Sequence, residues 1–221
     1  MGALEEYFEQ NKARVIHKWV HYLEIYERHF ARFRGREVHV LEIGVYFGGS
    51  MQMWKHYFGP RARIYGVDIY PGCKQFEEDR IQIFTGDQGD RDFLRQLREA
   101  VPKLDILIDD GGHRMEQQIA TFEELFPHVA EDGVYICEDM QTSYWPDFGG
   151  GYRQPGTFVE TAKGLIDQIN AWYTREPDSF QVDHITRSTQ SIHFYPGMAV
   201  IEKRRMEEPR SRKTGIFEWP R

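Results

Sequence analysis

Two pairs of adjacent carboxylates stand out in this chain, Asp109-Asp110 and Glu138-Asp139. Each pair follows an apolar run directly, and the first leads through Gly111-Gly112 to His113. Neighbouring acids at the end of a buried strand repel one another and are costly to desolvate. If the two runs are adjacent parallel strands, all four acids fall into one crevice and need a counter-charge. A divalent cation supplies it. The ligands offered are all oxygens with no supporting cysteine, which favours magnesium, manganese or calcium over zinc. The competing reading is that some of these acids cap helices and face solvent.

The elements that must position these residues can be read from periodicity. Ile16, Trp19, Val20, Leu23, Tyr26 and Phe30 recur at three- and four-residue steps before Gly35, which predicts a helical N-terminal extension over residues 1–35. Strands are expected at 37–43, 62–69, 81–85, 104–109 and 133–137, and helices at 50–58, 90–101, 114–126 and 157–173. Asp90 is placed to cap its helix. Strands at 190–195 and 198–203, joined by Pro196-Gly197, read as a closing hairpin. Alternating strands and helices imply an α/β fold: a Rossmann-like, seven-stranded, mostly parallel sheet with helices on both faces and a C-terminal antiparallel hairpin. The main domain is expected over 36–204 and a C-terminal tail over 205–221.

In such sheets the ligand lies beyond the carboxyl ends of the strands. After the first strand, Gly44, Gly48 and Gly49 make a loop that a cofactor can approach, or simply a tight turn, with Ser50 able to cap the next helix. The pattern is not GxGxxG. Asp68 ends the second strand 24 residues after Gly44, where an acid can bind both ribose hydroxyls of a nucleoside or cap a turn. After the third strand, Asp87 and Gln88 offer the acceptor and donor groups that an adenine edge requires. The segment TSYWPDFGGGYRQPG after Asp139 is rich in aromatics, glycine and proline. Its Tyr144, Trp145 and Phe148 suit either stacking on a sugar face or packing beneath the loop.

Composition sets the outer limits. The 221 residues, 40% hydrophobic and 29% charged, suit one globular domain. A formal net charge of −7 argues against a nucleic-acid partner. No membrane span and no secretory signal is read, and two distant cysteines fit free thiols, so a cytoplasmic location is expected. An amphipathic N-terminal helix leaves a homodimer or larger homo-oligomer open.

Several segments in order, HKWVHYLEIYERHF, VLEIGVYFGGSMQMWKHYFGPRARIYGVDI, TGDQGD, LIDDGGH, EDMQTSYWPDFGG and SIHFYPGMAVIEK, make the chain resemble the class I S-adenosylmethionine-dependent, metal-dependent sugar O-methyltransferases of the macrocin and mycinamicin kind. The resemblance spans roughly residues 17–203. It implies that Glu42, Gly44, Tyr46 and Ser50 border the methionine part of the cofactor, that Asp68 holds the ribose and that Asp87 and Gln88 meet the adenine. It also implies that Asp110, Glu138 and Asp139 bind Mg²⁺, with Mn²⁺ as a substitute, and that His113 is the general base. Asp109 is left between cofactor and metal. Gly112 departs from the serine expected at that place. The implied acceptor is a hydroxyl of a small saccharide such as a mannoside or methylmannoside, which the short chain favours, or of a glycosylated natural product. Two other readings stay open: a relative of the cephalosporin-hydroxylase group with a different acceptor, and a non-catalytic S-adenosylmethionine-binding partner of another enzyme. Iron chemistry would ask for two histidines and a carboxylate, and only His113 lies in the right loop.

Overall fold

The computed structural model describes residues 2–216; Met1 and residues 217–221, the end of the expected C-terminal tail, lie outside the described residues. The chain begins with helix α1 (Ala3–Gln10) and helix α2 (Tyr22–Phe30). It then alternates through β1 (Val38–Ile43), α3 (Gly49–Phe58), β2 (Ala62–Asp68), β3 (Ile81–Thr85), α4 (Arg91–Ala100), β4 (Leu104–Asp109), α5 (Met115–Leu125) and β5 (Val129–Cys137). Helices α6 (Phe158–Ile169) and α7 (His184–Ser188) precede the hairpin β6 (Thr189–Tyr195) and β7 (Met198–Lys203).

The seven strands form one sheet in the order β3-β2-β1-β4-β5-β7-β6. Strands β1 to β5 pair in parallel, and β7 joins β5 antiparallel. The order reverses between β1 and β4, so the two halves of the sheet diverge at that point and leave a crevice. The expected adjacency of the fourth and fifth strands holds, with Asp109 level with Cys137.

Both faces of the sheet are covered, because each strand turns successive side chains to opposite sides. Val40, Ile106 and Ile108 pack with Tyr26, Phe30, Trp54 and Phe58 on one face. Leu41, Leu107 and Tyr135 pack with Leu94, Phe122 and Phe158 on the other. Strands buried on both faces read as near-continuous apolar runs, which is why β4 was visible as one.

Local chemistry sets the element ends. Asp90 caps α4 as expected, accepting from the Asp92 and Phe93 amides at 2.9 and 3.3 Å. Ser50 does not cap α3; Gly48, at φ +72°, begins that helix instead. A two-residue turn with Gly197 at φ +75° joins β6 to β7.

The N-terminal reading needs correction. Residues 1–35 are not one helical extension: residues 11–21 form an irregular strap between α1 and α2. Asn11 starts it, accepting from the Ala13 amide at 3.0 Å and donating to the Arg14 carbonyl at 2.9 Å, bonds that compete with a continuing helix. Trp19 and Val20, expected on a buried face, are 56% and 61% exposed. Nor is the segment an appendage, since Leu4, Tyr22, Leu23, Tyr26 and Phe30 belong to the sheet's own core. No helix among the described residues is long and apolar enough to cross a membrane.

Candidate active site

A pocket of about 460 Å³ opens beyond the carboxyl ends of β1, β2, β3, β4 and β5. Of the residues singled out from the sequence, Gly44, Tyr46, Asp68, Asp87, Gln88, Asp110, His113, Glu138 and Asp139 line it. Glu42, Ser50, Asp109, Tyr144, Trp145 and Phe148 are not in its lining.

One end is built by three strand-end loops. Gly44 sits at φ +98°, and a Cβ there would lie 2.0 Å from the Asp110 carbonyl oxygen, so the loops after β1 and β4 touch backbone to backbone. Asp68 ties its own turn to the β1 loop, accepting from the Val45 and Tyr46 amides at 3.0 Å and from Tyr70 at 2.9 Å. Asp87 accepts from the Gly89 amide at 2.8 Å.

Gln88 departs from the expected use. Its side chain turns inward, donating to Asp109 at 2.7 Å and Thr121 at 3.1 Å and accepting from the Gly112 amide at 2.8 Å. No group of that side chain is left for an adenine; only its backbone is available to the pocket. Asp109, fully buried, stands behind the pocket and faces Gln88 and Tyr135. Burial pushes its carboxyl up to about 7, against the opposing bond from Gln88. Asp109 is outside the pocket lining, and its carboxylate meets side chains from β3's loop and from β5.

Glu42 and Ser50 are likewise one layer behind. Glu42 accepts from Ser50 Oγ at 2.7 Å and Trp54 Nε1 at 2.9 Å on one oxygen and from Lys18 at 2.8 Å on the other. Lys18 was absent from the sequence-based set. It reaches from the strap into the acids, 2.6 Å from Asp110 Oδ2 and 3.0 Å from Glu138 Oε1, with its side chain 2% exposed. Burial works against its charge, but Asp110, Glu138 and Glu42 more than reverse this and hold the amine well above its ordinary range. One amine thus stands among three carboxyl groups. Burial and then the neighbouring Asp110 charge raise Glu138, which Lys18 only partly offsets. Tyr26 adds a 2.6 Å hydrogen bond to Glu138 Oε1.

Asp110 and Asp139 complete the other end with His113. Asp139 Oδ1 accepts from Trp19 Nε1, Tyr22 Oη and Gln141 Nε2, each at 3.0 Å. His113 Nε2 lies 3.8 Å from Asp110 Oδ1 and 3.5 Å from Asp139 Oδ2. Its Nδ1 is buried without a partner among the described residues. His113 and Asp139 both adopt positive φ, +55° and +52°, a conformation side chains other than glycine rarely adopt. The loop after Asp139 braces this turn, Thr142 Oγ1 donating to the His113 carbonyl at 3.0 Å and Arg114 to the Asp147 carbonyl at 3.1 Å. Tyr144 and Trp145 remain about half exposed above it, at 49% and 47%. The donor set fits a hard divalent cation: a cluster of carboxyl groups, carboxylate oxygens free on Asp110 and Asp139, and an open side toward the pocket.

Residues 41–140 match the family model described as a methyltransferase domain. The chain is 40% identical over 197 residues to the 8-demethyl-8-α-L-rhamnosyl tetracenomycin-C 2′-O-methyltransferase of Streptomyces olivaceus, an alignment covering 85% of this chain and 52% of that one. It is 39% identical over 193 residues to the mycinamicin VI 2″-O-methyltransferase of Micromonospora griseorubida, covering 83% and 48%. The MycE methyltransferase of the mycinamycin pathway, solved with Mg and SAH, superposes with a TM-score of 0.80 at 37% identity, over 91% of this chain and 54% of that one. The chain thus spans about half the length of these curated relatives. Its fold is the Rossmann-like methyltransferase fold expected from the sequence.

Proposed function

We propose that this chain catalyses transfer of a methyl group from S-adenosylmethionine to a sugar hydroxyl, with a divalent cation, preferably Mg²⁺, at the acidic end of the pocket. One observation carries the reading: a single pocket joins a loop lined by Gly44, Asp68 and Asp87 to Asp110, His113 and Asp139. The first group suits a nucleoside cofactor; the second suits a cation and a proton acceptor. The names of the matching relatives support the same chemistry.

The sulfonium methyl is already activated, so the protein's task is alignment and deprotonation of the acceptor. In this reading Asp68 holds the ribose. The backbone at Asp87 and Gln88 meets the adenine. Asp110 and Asp139 hold the cation through the oxygens that face His113, with Glu138 beside them in the same lining. When bound, Mg²⁺ would supply Lewis acidity to the acceptor oxygen. His113 Nε2 accepts the hydroxyl proton, being the ring nitrogen turned to the pocket side of the carboxylates.

The acceptor proposed is a glycosylated natural product. Trp19, Tyr46 and Ile69 line the pocket and are 56%, 59% and 65% exposed, giving the mouth an apolar rim suited to an aglycone. A bare mannoside would leave that rim in water. Cys73 and Cys137 are free and buried, which suits a reducing compartment such as the cytoplasm.

The test is methyl transfer from labelled S-adenosylmethionine to a panel of glycosides and simple saccharides, with and without EDTA. Transfer to rhamnosides of aromatic or macrocyclic aglycones, lost on adding EDTA and restored by Mg²⁺, is the expected result. Absence of S-adenosylhomocysteine binding would overturn the reading. Transfer to bare saccharides in preference would overturn the acceptor class alone.

A further inference from the structure

The acid cluster is completed by a segment that is remote in sequence. Asp110 and Asp139 each have one oxygen anchored and one free. Asp110 Oδ2 is held by Lys18 at 2.6 Å and Asp139 Oδ1 by Trp19 at 3.0 Å, both from the strap, 92 and 120 residues away. The remaining oxygens face His113.

The strap's course is itself fixed. Arg14 donates to the Phe76 carbonyl at 2.9 Å and pairs with Glu78 at 3.2 Å. The strap backbone passes so close to α3 that a Cβ on Gly49 would lie 2.2 Å from the Val15 carbonyl oxygen and 2.6 Å from that of Arg14. Gly49 has an ordinary backbone conformation, outside the set at positive φ. Its lack of a side chain answers to the strap, not to a turn. Trp19 presents most of its ring to solvent, yet directs its N–H to Asp139. A ring serving only as packing would be buried.

Resting on the metal reading above, we propose that the docked strap, through Lys18 and Trp19, is the positioning element of the cation site: it orients Asp110 and Asp139 so that their free oxygens converge. Groups that hydrogen-bond metal ligands from behind commonly change metal affinity 10- to 100-fold when removed. Coupling of this kind is reciprocal. A cation bound to Asp110 and Asp139 must then stabilise the strap in its docked position.

The experiment uses Mn²⁺ alone as the probe, with affinity read by electron paramagnetic resonance and backbone hydrogen exchange followed over residues 11–21. Two variants displace the strap's action without altering any acid. Trp19→Phe deletes the N–H on an exposed ring. Gly49→Ala places a methyl against the strap backbone in a helical position that alanine favours. Both are expected to bind Mn²⁺ about tenfold more weakly, Trp19→Phe at an unchanged melting temperature and Gly49→Ala at a lowered one because its methyl must push the strap backbone away, and Mn²⁺ is expected to slow exchange across 11–21 in the unaltered protein. If both variants bind Mn²⁺ as the unaltered protein does, the positioning role is overturned while the metal reading stands. If the unaltered protein binds no Mn²⁺, the metal reading falls and this inference with it.

Discussion

Gln88 and Asp109 are joined by a 2.7 Å hydrogen bond in a fully buried layer behind the pocket. The same Gln88 side chain accepts from the Gly112 amide, so it ties the loop after β3 to the loop after β4. Asp109 is a support of the pocket wall, and its raised carboxyl makes that support sensitive to pH. A folded-state value of about 7 against an ordinary 3.8 means that the folded protein holds this proton more tightly than the unfolded chain. The associated stability is complete below the ordinary value and is lost as the pH rises through about 7. Asp109→Asn keeps the shape and removes the charge. It is expected to unfold at higher urea concentration than the unaltered protein at pH 8, to lose most of that advantage at pH 5, and to bind S-adenosylhomocysteine unchanged. Weakened ligand binding at both pH values would return Asp109 to the cofactor's contacts.

Gly44 is the position where a side chain has no room. A methyl there meets the Asp110 carbonyl at 2.0 Å in a backbone conformation that L residues disfavour. Gly44→Ala should lower stability by about 2–4 kcal/mol and weaken S-adenosylhomocysteine binding at least tenfold, as seen by calorimetry and urea unfolding together. Normal binding in a merely destabilised variant would show that the close approach serves the fold and not the pocket.

His113 offers a cleaner separation of binding from chemistry. Asparagine tolerates its positive φ better than alanine does and cannot accept a proton near neutral pH. His113→Asn should lower turnover by about 10²–10⁴ while S-adenosylhomocysteine and Mn²⁺ binding persist. Retained turnover would remove His113 from the proton's path.

His29 lies far from this chemistry but governs acid stability. It is buried between α2 and the hairpin, 2.8 Å from Glu202 and 3.0 Å from the Tyr195 hydroxyl. Burial lowers its pKa below the ordinary 6.5, with the Glu202 contact opposing. The folded state thus binds this proton less readily than the unfolded chain. The stability it contributes is present above 6.5 and is lost as the pH falls through the depressed value. His29→Gln should flatten the fall in melting temperature between pH 7 and pH 5. An unchanged slope would assign the acid lability elsewhere, with His193 and Arg28 the nearest other charges.

Much of the architecture was legible because burial on both faces makes the end of β4 and the second half of β5 read as apolar runs, and the acid pairs sit directly where those runs stop. Asp110, His113, Glu138 and Asp139 share a pocket lining as their places at adjacent strand ends required. Glu42, Ser50, Asp109 and the side chain of Gln88 were also placed at the right loops, but alternation within a strand or turn sent them one layer back. Residue type and spacing do not report which side of a loop a carboxamide faces.

What the sequence determined by itself was the order of elements, the sheet, and the convergence of two acid pairs on one crevice, because these follow from local periodicity and from the rule that parallel neighbours end together. What only the tertiary structure decided was the counter-charge. Trp19 falls in the period of the helix after it and reads as its continuation, while Lys18 carries no periodic signal. In the fold Lys18 lies in the strap, 2.8 Å from Glu42, 2.6 Å from Asp110 and 3.0 Å from Glu138. Those contacts depend on which segments meet in space, and no window of neighbouring residues contains them.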